Sequence, residues 1–176
     1  MKNKPLRMIT QVSLLVVLGL IIKLLYSPIF TPFGVMVRLN VSNTVTQMIP
    51  IIFGPFWGAL ANAVGDLLAF IIRPQGAWMP HITALEFLSG GLLGLMWRYV
   101  RIPRAYMKML MLVLITDVVY TALNTIGLLL FIPSMQGVTF MAAVTPRFIV
   151  TVAVAIPKAY IMMILLNLYN KYIKAN

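Results

Sequence analysis

Cysteine is absent from the chain, so disulfides, thiolate nucleophiles and cysteine metal sites are excluded in any compartment. Histidine occurs once, at His81, which removes most histidine-dependent chemistry. Acidic residues are almost missing as well: Asp66, Glu86 and Asp117 are the complete set, against 14 Lys and Arg. Such a stock does not readily build a metal or acid–base centre, and no HExxH, GxSxG, Walker A or Asp-rich magnesium motif occurs. An enzyme is therefore not expected, and neither is a bound cofactor. Without a nucleotide-binding element, any pumping must draw its energy from an ion gradient or a partner protein.

What the chain has in abundance is apolar surface. Hydrophobic residues make up 61% and charged residues only 10%, where a soluble domain carries about 25% charge. Mean hydropathy is +0.97. This predicts an all-α integral membrane protein. The net charge of +11 sits in short clusters that flank apolar runs rather than in one continuous patch, so it reads as a topology signal and not as a nucleic-acid surface.

A membrane-crossing helix needs about 20 apolar residues. Six segments are candidates, at about residues 8–26, 41–53, 55–72, 81–97, 109–131 and 145–168. The first follows a basic start but contains Lys23 and lacks a small-residue cleavage site, which favours a retained helix over a secretory signal. The second and third fit between residues 41 and 72 only if the second is short; Pro50 and the Gly54-Pro55 pair mark the reversal between them. Gly58, Ala61 or Asn62, and Gly65 recur at helical spacing and predict close helix packing. Residues 27–40 are expected to form an apolar loop near the membrane. No soluble domain, linker or low-complexity segment is expected, so residues 1–176 read as one domain.

With six spans both termini lie on one side. Lys2, Lys4, Arg7, Arg98, Arg101, Arg104, Lys108, Lys171 and Lys174 fall on that side, and Arg38, Arg73 and Arg147 on the other. The positive-inside rule then puts both termini in the cytoplasm.

A charge at membrane depth costs at least about 2.5–3.5 kcal/mol, so each should be paired, face a cavity or lie near an interface. Asp66, Glu86 and Arg147 all fall near the outer ends of their spans; with Arg38, Asn40 and Trp78 on the outer loops they are expected to converge on one outward pocket. Each also has a structural alternative. Asp66 can pair with Arg73 or another base, Arg147 and Arg38 can snorkel to headgroups, and Asp117 can be neutralised by Lys108 or Arg104. Lys158, beside Pro157, is either a pocket base or the partner of one of the acids. His81 fits a satisfied helix-start residue better than a metal ligand, and the 13 Met residues fit apolar filler better than an adaptable binding surface.

The segment FGPFWGALANAVGDLLAFIIRPQGAW, with Gly-Pro at 54–55 and Gly-Asp at 65–66, resembles the substrate-binding S components of energy-coupling factor (ECF) vitamin transporters. The aromatic-Pro loop at 78–80, SGGLLGL at 89–95 and TPRFIVTVAVAIPKAYIMM at 145–163 are most similar to the folate S components. The resemblance implies a multi-pass protein of a bacterial plasma membrane that captures a vitamin at the outer face. It would dock on a membrane T component carrying two ATPases and topple in the bilayer to release its cargo. The family's docking motif on its first helix is Ala-x-x-x-Ala; the matching positions are Ser13 and Val17, the second bulkier than the pattern, with Gly19 on the same helix. A folate ligand would present its pterin amine and N–H to Asp66 or Glu86, stack on Trp78 or Phe33, and place its anionic tail on Arg38, Arg147 or Arg73. An S component for another vitamin or precursor, such as pantothenate, thiamine or a queuosine precursor, stays open beside it. So does a stand-alone secondary transporter, although no repeat relates residues 8–97 to 109–170.

Overall fold

The computed structural model describes residues 4–25, 29–30, 37–38, 43–74, 78–131 and 137–172. Gly54 makes the sharpest reversal in it. Its φ of +98° is a left-handed conformation that favours glycine, and Pro55 starts the next helix at a position where its missing N–H leaves nothing unpaired. Upstream of that turn, α2 (Asn43–Thr46) and α3 (Met48–Phe53) are one short helix interrupted at Gln47. Pro50 supplies the cause: its ring crowds the carbonyl four residues back, at Thr46, and it offers no N–H to that carbonyl. Together α2 and α3 span residues 43–53, too short at about 1.5 Å per residue to cross a core of about 30 Å.

The remaining helices are α1 (Lys4–Leu25), α4 (Pro55–Ile72), α5 (Pro80–Tyr99), α6 (Ala105–Phe131) and α7 (Phe140–Tyr172). The first, third, fourth, fifth and sixth expected spans each correspond to one long helix, the third bounded to the residue, whereas the second, expected at 41–53, is the short broken pair α2 and α3. The fifth and sixth begin earlier than hydropathy places them, at Ala105 and Phe140, and Pro146 and Pro157 lie inside α7 without ending it. One element was not expected. Within the loop after α1, β1 (Ile29–Phe30) pairs antiparallel with β2 (Val37–Arg38), in the register Ile29 to Arg38 and Phe30 to Val37.

Helices α1, α4, α5, α6 and α7 pack in that sequence, each against the next, while α2 and α3 lie inside, touching α1, α4, α5 and α7. One apolar core joins Val12 and Val16 of α1 to Ile49 and Ala61; a second joins Met48 to Met109, Val113, Ala155, Ala159 and Met162. Outward faces are apolar too: Leu14 is 64% exposed, Ile71 72% and Met141 71%. On a soluble monomer such a continuous apolar exterior would be an aggregation hazard; in a bilayer it is the lipid-facing surface. Helices α1, α4, α6 and α7 are each long and apolar enough to cross a membrane. Helix α5 matches them in length and is less apolar because it carries His81, Glu86 and Arg98. The protein is a multi-pass membrane protein.

The α4–α5 seam is made of backbone rather than side chains. A Cβ added at Gly90 would sink into the carbonyl of Gly58, and one at Gly94 would come within 2.6 Å of Pro55 Cα. Gly58 in turn lies directly against Pro50 of α3. Gly90→Ala is therefore expected to force the two helices apart and destabilise the protein by about 1–3 kcal/mol, the usual range for overpacking. Gly91→Ala, whose added methyl would make only an ordinary 3.7 Å contact with Ala59, serves as the control. Equal melting temperatures for the two variants in detergent would refute the seam's role.

Candidate functional site

Near the C-terminal end of α1, Lys23 Nζ donates to Asp66 Oδ1 at 3.0 Å. Thr83 Oγ1 of α5 donates to the other oxygen, Oδ2, at 2.9 Å. One carboxylate thus ties three helices together. Arg73, the partner considered from sequence, is not involved: it is exposed, and its Nη1 donates to the Leu24 carbonyl at 3.1 Å, holding the end of α4 to the end of α1.

Beside this ion pair a small polar cleft, with a free volume of about 20 Å³, opens between α1, α2, α4 and α5. Its polar lining is Lys23, Asn43, Thr46, Asn62, Asp66 and Glu86, with Gly19 and Gly65 giving it room. Asp66 and Glu86, the two acids expected to share a pocket, do so. Glu86 is buried and lies near the Tyr120 side chain of α6, so it stands between the cleft and the α6–α7 side of the bundle. Asn62 Oδ1 is buried with no partner among the described residues.

The α6–α7 side carries the opposite charge. Thr121 and Thr151 meet at 3.0 Å; in antiparallel helices this register brings Asn124 and Arg147, one turn further along, to the same level. Arg147 is only 8% exposed and Nε has no partner; Asn124 Oδ1 is likewise buried and unpartnered. A buried guanidinium is costly unless it is paired, and no counter-ion to Arg147 stands among the described residues. Hence the fold holds an acidic cleft on one side of Glu86 and, on the other, a buried cation whose Nε has no partner among the described residues.

Other expected site residues scatter. Trp78 is half exposed just ahead of α5. Arg38 lies in β2, which packs beside α7, while Asn40 and Phe33 fall outside the described residues. His81 stacks on Phe131 with ring centroids 5.1 Å apart and presses on Gly127, and its buried Nε2 has no partner among the described residues. Ser13 and Val17 share an exposed face of α1; Gly19, about 200° around the helix from Val17, is buried against the cleft and does not belong to that face.

Asp117 is not neutralised by Lys108 or Arg104. Lys158 Nζ donates to its Oδ2 at 2.7 Å and Gln47 Nε2 to its Oδ1 at 2.9 Å. Lys108 instead lies 4.3 Å from the Trp97 ring centroid. Sequence reasoning missed Lys23, Asn62, Tyr120 and Asn124 as site residues. Lys23 alone carried a signal, a lone base inside an apolar span.

No protein-family model matches the chain, and no curated protein sequence does. Among solved structures it is similar to FolT, in a crystal structure with folic acid bound. The identity is 22%, the TM-score 0.67, and the match covers 86% of this chain and 89% of FolT. The chain therefore has the fold of FolT.

Proposed function

We propose that the protein is the substrate-capturing S subunit of an ECF-type importer, and that its ligand is folate. The observation that carries this reading is the pairing of an acidic cleft with the buried, unpartnered Arg147 in a fold shared with a folate-bound protein. A pterin offers adjacent N–H donors, which suit Asp66 and Glu86; a glutamate tail offers carboxylates, which suit Arg147. The side holding Lys23, Asp66 and Arg147 then faces outward, the orientation expected from the positive-inside rule. Energy comes from partners, a membrane T component and two ATPases, which meet the exposed Ser13 and Val17 face of α1.

A cationic vitamin such as thiamine is the second reading. It is favoured by one feature, that the cleft holds two carboxyls, Asp66 and Glu86, to one ammonium, Lys23. Titration of the detergent-purified chain, followed by fluorescence of Trp57, Trp78 and Trp97, separates the two. Quenching at nanomolar folate, with no response to thiamine, pantothenate or riboflavin, is the expected result. A response to thiamine alone would replace the ligand, and silence with every vitamin would remove the S-subunit reading.

A further inference from the structure

All three carboxyl side chains of the chain are placed inside the bundle: Asp66 with Lys23 and Thr83, Asp117 with Lys158 and Gln47, Glu86 near Tyr120. None is left for the basic end. There, the last turn of α5 and the turn that follows it carry Arg98, Arg101 and Arg104, all exposed and without a partner among the described residues. Lys108 is drawn back over Trp97, and Tyr99 beside them is 73% exposed. A cluster of this kind repels itself, and its counter-charge must come from outside the chain.

We propose that this turn is a binding surface for anionic phospholipid headgroups of the leaflet it faces. Position argues for lipid over an acidic protein. The residues directly above the cations, Leu95 at 46% exposure and Met107 and Met111 at 41% and 50%, are lipid-facing. The guanidinium groups therefore sit where acyl chains give way to phosphates, and Trp97 and Tyr99 occupy the depth that aromatic residues prefer. Arginine's planar fork can take two phosphate oxygens at once, so these residues would hold a headgroup rather than merely attract it.

The test is native mass spectrometry of the full chain released from mixed micelles of phosphatidylglycerol and phosphatidylcholine at equal mole fraction. Retained phosphatidylglycerol should exceed phosphatidylcholine by about tenfold or more, and each of Arg98→Gln, Arg101→Gln and Arg104→Gln should reduce that preference by roughly fivefold at most. Removing cations can also disturb membrane orientation. The wild-type chain therefore gives an independent readout: added salt should weaken the preference, and poly-glutamate should not displace the lipid. Equal retention of the two lipids would overturn the proposal, as would a preference unaffected by all three substitutions. Displacement by poly-glutamate at lower concentration than soluble anionic lipid would overturn it in favour of an acidic protein partner.

Discussion

Lys158→Met is expected to lower the stability of the protein by about 3–5 kcal/mol, the usual penalty for stripping the partner from a buried charge. Lys158 is 5% exposed and Asp117 17%, and the 2.7 Å contact between them lies in the interior of two membrane-spanning helices. Methionine fills the volume of the lysine stem but leaves the carboxylate with Gln47 alone. For a chain of this size the loss corresponds to a melting temperature lower by about 10 °C. The double variant Lys158→Met/Asp117→Leu should recover most of it, because an apolar pair removes the stranded charge along with its partner. Recovery should remain incomplete: Gln47 would lose its acceptor, and its Oε1 is already buried without a donor. A single variant as stable as the parent, or a double variant no better than the single, would show that the pair does not act as a unit.

The largest effect on binding is expected at Arg147. Truncation to alanine should weaken folate by about 100-fold, equivalent to about 3 kcal/mol and in line with losing two hydrogen bonds to a charged group. Pteroate, which lacks the glutamate, should bind the variant and the parent equally, whereas Asp66→Asn should weaken both ligands. This split separates a residue that reads the tail from one that merely supports the bundle. Arg147 Nε has no partner among the described residues, so Arg147→Ala should cost the ligand-free protein no more than the packing of the buried stem. Unchanged folate affinity, or an equal loss for folate and pteroate, would remove Arg147 from the site.

Span positions were legible because hydropathy and Pro/Gly punctuation act locally. Gly54-Pro55 marks a reversal whatever surrounds it, and α4 begins and ends where its apolar run does. Helix α6 extends past its apolar run at Ala105, since hydrogen bonding along a helix continues into the polar interface even though hydropathy does not, whereas α7 simply takes in the apolar residues 140–144 ahead of Pro146, which does not end it. Charge partners were the illegible part. Asp66 chose Lys23 over Arg73, and Asp117 chose Lys158 over Lys108, because pairing depends on how each helix is rotated and on vertical register between helices distant in sequence. Glu86 lines the same cleft as Asp66, at the depth its place in the span implies, while Asn62 and Asn124, being uncharged, carried no penalty that would mark them in a sequence.

The glycine-lined contact between α4 and α5 also bears on how this molecule can move. Helices slide past one another by letting side chains switch rotamers in the layer between them, and here that layer is missing: the carbonyl of Gly58 rests against Gly90, and Pro55 against Gly94. With no compliant material between them, α4 and α5 should travel as one stiff plank, carrying the carboxyls of Asp66 and Glu86 at a fixed spacing. Shape change is then left to the joint at Gln47, where the interior helix is already broken, so release of a ligand held as proposed would shift the plank against α6 and α7 rather than prise the two acids apart.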